Sequence, residues 1–471
     1  MCGPKSSGKS TFSRLLANRL VTEDSRPRNK SWPGVAVLDI DPGQPEFSTP
    51  GHLSLVHVNQ PNLSPPFCRP FSDRGNTKVI RSHALASVSP AADPDHYVEC
   101  VLDLYATYQR SLKGRCPLII NTPGWVQGTG LDLLTELVAK LRPSGVIYMS
   151  LDGPEETVEG LKSAMRGAAF TELPSQPSEY TSRTALHLRT MHTMSYFHID
   201  TASLNQEHLR WGSEPLIAAP PLLVRYGGRG RGILGVMCYD YQPPLHLLAE
   251  ALNGNLVSIV EIEDKAAFER LQNSKSRGDD AQVEDGTAMD LDEDSGDDGP
   301  GIDMSSIEES LVKRSPEGLP LLHNPSGRAL DPRYSQVVGT ALIRGIDTEQ
   351  RTLQLLCPLP LDTIDRVTKA GHQIVLVSGK LDSPSWAYTE DLYKRAFNST
   401  SRNEAEDEPM ESTEADTDED ASDAQGDDPN GQEEQPGIPW VEVLRGNQKR
   451  AVGSRVWRVR RDLGRSGNTT D

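Results

Sequence analysis

Cysteine is scarce and scattered in this chain. Six residues (Cys2, Cys68, Cys100, Cys116, Cys238 and Cys357) occur among 471, with no C-x-x-C pair. That spacing offers neither a zinc-ligand set nor a disulfide framework, and it fits a reducing compartment, cytosol or nucleus. Long apolar runs and a signal-peptide pattern are also missing, so no membrane partner is expected. The guanine-reading Asn-Lys-x-Asp of a GTPase is absent, because Asn29-Lys30-Ser31-Trp32 lacks the acid, and there is no ABC-type signature. Nor is there an overall basic excess: the net charge is −19, which argues against nucleic acid as a partner.

The distribution of charge reverses that argument. Asp279 to Asp298 holds 10 acids and Asn403 to Glu434 holds 15, neither with any Lys or Arg. Without these 25 charges the rest of the chain carries +6. The two tracts read as disordered insertions that confer solubility or dock a basic partner.

The chain opens on Gly3-Pro4-Lys5-Ser6-Ser7-Gly8-Lys9-Ser10, a full match to G-x-x-x-x-G-K-[ST], with Thr11 after it. Glycines let backbone N–H groups close around phosphate oxygens, the lysine reaches the β- and γ-phosphates, and the hydroxyl of Ser10 suits Mg²⁺. A helix from about Lys9 to Leu20 is expected behind the loop, its positive end toward the anion. ATP and Mg²⁺ are therefore the expected cofactors. Only Met1 and Cys2 stand where a strand precedes such a loop, so an N-terminally truncated first strand is expected.

Val35 to Asp41 is a β-branched apolar run ending in acids, the pattern of a buried parallel strand with a Walker B carboxylate at its carboxyl end. Asp39 is then a metal candidate. Asp41 is either a catalytic acid or a turn-capping aspartate before Pro42-Gly43. Further strands are predicted at Pro117–Asn121 and Gly145–Met149, and helices at Asp95–Leu112, Leu131–Leu141 and Glu155–Met165. This alternation predicts a P-loop α/β domain, with a parallel sheet covered by helices, over 1–221. Beyond it, short strands at Ile233–Met237, Gln336–Ile343, Thr352–Leu356 and Gln373–Val377 predict a C-terminal β-rich domain beginning at 222–268 and continuing over 331–397. Acidic insertions are expected over 269–330 and 398–436, and 437–471 is expected to hold a last strand, Val452 to Arg460, and a tail. Gly230-Arg231-Gly232-Ile233-Leu234-Gly235 fits G-x-G-x-x-G but precedes a strand instead of following one, so it reads as a basic turn.

Three motifs together resemble the Clp/Grc polynucleotide 5′-hydroxyl kinases: the phosphate loop, Leu38-Asp39-Ile40-Asp41-Pro42-Gly43-Gln44-Pro45-Glu46-Phe47, and Asn121-Thr122-Pro123-Gly124-Trp125-Val126. Asp93-Pro94-Asp95-His96-Tyr97 and the stretch Leu188-Arg189-Thr190-Met191 to Ser195-Tyr196-Phe197-His198 resemble the fungal pre-rRNA-processing Grc branch. The resemblance implies transfer of phosphate from ATP to an RNA 5′-hydroxyl at the second internal transcribed spacer. It also implies a Las-type endoribonuclease partner and a nuclear, nucleolar location. Lys9 is then expected to hold the γ-phosphate, Asp41 to act on the 5′-hydroxyl, and Gln44 to position it. Arg189, with Arg183 as second choice, is expected to neutralise transition-state charge, although both could equally line a basic helix face. Trp125 is a candidate RNA platform or a core tryptophan, Thr122 a candidate RNA contact, and Ser87 to Pro90 falls where the family grips the RNA backbone. A non-catalytic ATP-binding scaffold is the alternative: it needs Lys9 and Ser10 but neither Asp41 nor an arginine over the phosphates.

Overall fold

A strand whose alternate side chains are all apolar must be covered on both faces, and the run after the first helix shows how this chain does it. In the computed structural model, α1 (Lys9–Thr22) is followed by β1 (Val35–Asp39), buried along its whole length. Val35 and Val37 pack with Ala17, Leu16 and Leu20 of α1. Ala36, Leu38 and Ile40 pack on the opposite side with Tyr97, Val101, Leu104, Leu133 and Leu137. The structure describes residues 1–22, 34–69, 77–150, 153–165, 167–176, 183–203, 209–228, 230–275, 304–392 and 394–395. All of them fall in one compact unit, Met1–Glu406; a second, Asp407–Asp471, lies outside the described residues.

The first half continues with β2 (His52–Val58), β3 (Thr77–Ala84), α2 (Pro94–Ser111), β4 (Leu118–Asn121), α3 (Thr129–Leu141), β5 (Gly145–Met149), α4 (Glu155–Ala164), β6 (Ala169–Leu173) and α5 (Ala185–Phe197). β1 pairs in parallel with β4, and β5 with β6. Met1 and Cys2 join the two pairs. The terminal amine donates to Ile120 O at 2.9 Å, Cys2 N to Ile147 O at 2.8 Å, and Met149 N to Cys2 O at 2.9 Å. The residues before the phosphate loop thus lie between β4 and β5, where a parallel α/β sheet places that strand. The expected parallel sheet also carries an antiparallel wing, β2 and β3, in the order β3-β2-β1-β4. Its alternation was hidden by His52, Ser54 and Ser82, polar residues that the second half of the chain covers.

That second half comprises β7 (Leu222–Arg225), β8 (Gly235–Cys238), α6 (Leu248–Leu252), β9 (Leu256–Ile262), α7 (Glu269–Lys275), α8 (Ser305–Leu311), β10 (Val312–Arg314), β11 (Pro320–Leu322), β12 (Ser335–Asp347), β13 (Thr352–Leu356), α9 (Leu361–Lys369) and β14 (Gln373–Ser378). They form one eight-stranded sheet, β10-β11-β8-β14-β9-β12-β13-β7. The insertion expected over 269–330 is narrower than that range. Residues 304–330 hold α8, β10 and β11, with Ile307, Leu311, Leu321 and Leu322 fully buried. These apolar residues were masked in the sequence by the acidic tract beside them. Both acidic tracts, Asn29 to Trp32 and the strand expected at Val452 to Arg460 lie outside the described residues. All six cysteines are free. Among the described residues no helix is long and apolar enough to cross a membrane.

The two sheets are joined through β3 and β12. Arg81 donates to Asp103 Oδ2 at 2.8 Å, to both carboxylate oxygens of Glu263 at 2.9 and 3.2 Å, and to the Pro332 and Ser335 carbonyls. Beside it, His52 Nε2 meets Ser258 Oγ at 2.8 Å and Thr49 Oγ1 meets Thr340 Oγ1 at 2.6 Å. Removing the guanidinium takes the ion-pair partner from two largely buried carboxylates, leaving His83 on Asp103 and Gln336 on Glu263, so Arg81→Ala is expected to lower unfolding free energy by ~3 kcal/mol. Denaturant unfolding of wild type and variant measures this.

Candidate active site

The phosphate loop is shaped by close approaches. A Cβ on Gly3 would lie 2.5 Å from Met149 O, and Ser6 and Gly8 adopt φ of +66° and +92°. The Pro123-Gly124 turn packs on the loop so tightly that a Cβ on Gly124 would come 2.8 Å from Lys5 Cα. From the other side Gln176 N donates to Ser7 O at 3.0 Å. Ser7 is buried, and among the described residues its hydroxyl has no hydrogen-bond partner. A buried orphan hydroxyl in a cradle of backbone N–H groups fits an anion such as a nucleotide phosphate. Lys5, Ser6 and Thr11 are exposed, while Pro4 is half-buried and its carbonyl accepts from Ser7 N.

Two buried acids, Asp39 and Asp41, lie beside this cradle, and a third, Glu46, is held by Asn62 and Arg14. Lys9 Nζ lies 4.0 Å from Asp41 Oδ2. Asp41 Oδ1 accepts from the backbone N–H groups of Gly43 at 3.0 Å and Gln44 at 3.2 Å. The carboxylate therefore caps its turn, as the second reading of Asp41 has it, and also faces the lysine. Burial pushes its pKa up, opposed chiefly by Lys9, and burial likewise lowers that of Lys9, opposed chiefly by Asp41. Asp39 is fully buried: its Oδ1 accepts from Asn121 Nδ2 at 3.0 Å, its Oδ2 from Glu46 N at 2.5 Å. Burial raises its pKa to about 6 and that of Glu46 to about 7. Ser10 Oγ donates to Asn121 Oδ1 at 3.3 Å, so Ser10, Asn121 and Asp39 form one chain. Buried acids that resist ionisation beside a hydroxyl suit a hard divalent cation. Among the described residues no group of three or more His, Cys, Asp or Glu is placed to hold a metal without further ligands.

The remaining candidates divide. Gln44 is exposed near Asp41. Arg189, on α5, is close enough to Asp41 to lower its pKa, and its guanidinium is paired with Asp382. Arg183 is exposed, just ahead of the Thr184 cap of α5, and has no hydrogen bond or ion pair among the described residues. Trp125 is half-buried, its ring against Gly130 and the core beneath β1, which leaves only part of it for stacking. Thr122 does not fit the expected RNA contact. It is buried and its hydroxyl donates to Met1 O at 2.9 Å, holding the strand position before the loop. Asp93-Pro94-Asp95-His96-Tyr97 serves the fold: Asp93 caps α2, and Tyr97 OH donates to Ile40 O at 2.9 Å, fixing the backbone that leads to Asp41.

Asn121, Glu46 and Asp382 escaped sequence reasoning as site residues. The first two lay inside motifs whose neighbours drew attention; Asp382 carried no signal.

The family model described as mRNA cleavage and polyadenylation factor CLP1 P-loop matches residues 3–199. Residues 3–199 are thus similar to a CLP1-type P-loop domain. The expected resemblance is borne out by curated relatives. The chain is 45% identical over 478 residues to the polynucleotide 5′-hydroxyl-kinase GRC3 of Gibberella zeae, an alignment covering 100% of this chain and 61% of that protein. It is 41% identical over 404 residues to the grc3 kinase of Aspergillus niger (83% of this chain, 49% of that one). With the Neosartorya fischeri grc3 kinase it shares 40% over 484 residues (96% and 57%). The chain thus spans about half to three fifths of the length of these relatives. A solved Clp1p–Pcf11p structure aligns over 80% of this chain and 73% of that one, at a TM-score of 0.48 and 14% identity, too distant to carry detail.

Among the acids of the CLP1-like domain, Glu46 yields a prediction about pH. Its folded carboxyl keeps its proton to about pH 7, whereas the unfolded group releases it near 4.5. Between these values the folded state binds more protons, so stability falls as pH rises through the window. Glu46→Gln removes that loss, worth ~3 kcal/mol. The variant is expected to gain on wild type between pH 5 and pH 8 in ligand-free thermal unfolding.

Proposed function

We propose that this chain is an ATP-dependent polynucleotide 5′-hydroxyl kinase acting on RNA. The observation that carries the proposal is the position of Asp41: buried, oriented by two backbone N–H groups, and 4.0 Å from the phosphate-loop lysine. The new bond joins the RNA 5′-oxygen to the γ-phosphorus, and the bond from that phosphorus to the β,γ-bridging oxygen breaks, releasing ADP. The 5′-hydroxyl proton passes to the Asp41 carboxylate, whose burial favours accepting it. Lys9 and backbone N–H groups of the phosphate loop hold the phosphates in line. Ser10 and Asp39, tied through Asn121, are the residues that would hold Mg²⁺, which would neutralise phosphate charge. Arg189 supplies positive charge on the Asp41 side of the cradle. Half-exposed Trp125 offers an RNA base one edge of its ring.

The pre-rRNA substrate at the second internal transcribed spacer, the Las-type endoribonuclease partner and the nucleolar location rest on the resemblance to the Grc branch. A non-catalytic scaffold would need no oriented Asp41, and the two N–H donors on that carboxylate favour the kinase.

Transfer of labelled γ-phosphate to a 5′-hydroxyl RNA oligonucleotide tests the proposal. Lys9→Ala is expected to abolish transfer. Asp41→Asn is expected to lower kcat at least ~10²-fold while retaining ATP binding. Unchanged transfer by Asp41→Asn would overturn its role as base, and ATP binding without any transfer by the wild type would favour the scaffold.

A further inference from the structure

The segment following β14 leaves the eight-stranded sheet and touches Ala86 and Ser87, Gly51 on the loop that follows Asp41, and Arg189. Gly379 runs against Ala86, so that any Cβ on it would collide with the Ala86 carbonyl oxygen. Ala86 itself sits at φ +50°, a strained value for a residue with a side chain. Next to it, Lys380 forms a parallel bridge with Ser87. The backbone that follows Ser87 is pressed from the other side by the acid loop, since a Cβ on Gly43 would lie 2.9 Å from Val88 O. Leu381 fills the space beside Gly51, at φ +92°, where a Cβ would come 2.5 Å from Leu381 Cδ2. Asp382 then takes Arg189: Nε donates to Oδ2 at 2.5 Å and Nη2 to Oδ1 at 3.3 Å.

We propose that Gly379–Asp382 is a positioning clamp for phosphoryl transfer, in which Asp382 holds the Arg189 guanidinium toward the Asp41 side of the phosphate cradle. The inference rests on the kinase reading above and adds a residue from the other sheet to its machinery. A two-point carboxylate fixes the plane of a guanidinium as well as its place. It leaves Nη1 without a hydrogen bond among the described residues, so a phosphate oxygen finds an arginine already oriented. The side chains are largely sheltered, Arg189 16% and Asp382 32% exposed, which strengthens the pair relative to one on an open surface. Further anchors hold α5 to the same half of the chain. Tyr196 OH donates to Thr340 O at 3.2 Å and accepts from Thr340 N, and His198 Nε2 meets Glu390 Oε1 at 2.7 Å. Asp382 therefore acts on a helix whose far end is already fixed, and sets the direction of one side chain.

The test uses the full-length protein with Asp382→Ala, Asp382→Glu, Arg189→Ala and the Asp382→Ala/Arg189→Ala pair. Asp382→Ala is expected to lower kcat ~10²-fold, as a misplaced positioning group does, with KM for ATP and RNA and the melting temperature close to wild type. Asp382→Glu is expected to recover part of the loss. The pair is expected to be no slower than Arg189→Ala, because the two residues act as a unit. Wild-type or raised kcat in Asp382→Ala, or losses that multiply in the pair, would overturn the clamp.

A second measurement does not depend on turnover. Phenylglyoxal labelling of Arg189, read by mass spectrometry, is expected to speed up several-fold in Asp382→Ala and to stay unchanged in Lys9→Ala. Equal labelling of Asp382→Ala and wild type would show that Asp382 does not hold the arginine. If the wild type gives no Lys9-dependent transfer, the kinase reading fails and the positioning role in transfer falls with it; labelling then decides the contact alone.

Discussion

Arg81 is the constraint on which the working shape of this protein depends. One guanidinium, buried where β3 meets β12, satisfies Asp103 on α2 and Glu263 beyond β9 and donates to the Pro332 and Ser335 carbonyls. A buried charge of this kind contributes little net stability when complete and costs a great deal when broken. Its effect is to permit one arrangement of the two sheets. The polar contacts around it, His52 with Ser258 and Thr49 with Thr340, extend the same restriction to the loop that follows Asp41. Polar pairing selects geometry here, and the apolar layers on either face of each sheet supply the driving force.

The geometry so selected matters because the candidate site is assembled from both sheets. The CLP1-like domain contributes the phosphate cradle, the lysine and the acids. The eight-stranded sheet contributes the backing for Ser87, the side chain beside Gly51 and the partner of Arg189. Phosphoryl transfer depends on placement and charge more than on covalent chemistry, so on the proposed kinase reading a division of this kind gives the second half of the chain a part in placement. The same acids that equip the site are a burden to the fold. Asp39, Asp41 and Glu46 are all buried in surroundings that resist their ionisation.

Much of the first domain was legible because its signals are local. The helix after the phosphate loop, β1, α2, β4, α3 and β5 all lie within a few residues of their expected positions. Each is set by a short-range pattern: a glycine-rich turn, a β-branched run, a stripe at helical spacing. β2 and β3 were not legible, because His52, Ser54 and Ser82 read as solvent-facing until the opposing sheet covers them. Thr122 failed as an RNA contact for a related reason, since nothing in its motif reveals that the Met1 carbonyl takes its hydroxyl.

The sequence by itself determined the chemistry on offer: a phosphate cradle ending in Lys9 and Ser10, and acids at the end of a buried strand. Those assignments hold because spacing along one strand–loop–helix unit is already spacing in three dimensions. Tertiary structure alone decided which groups meet. Asn121 lies 111 residues from Ser10, and Asp382 lies 193 from Arg189. No local pattern carries information across such distances: the parallel pairing of β4 with β1, under α1, brings Asn121 to Ser10, and the packing of one sheet on the other brings Asp382 to Arg189.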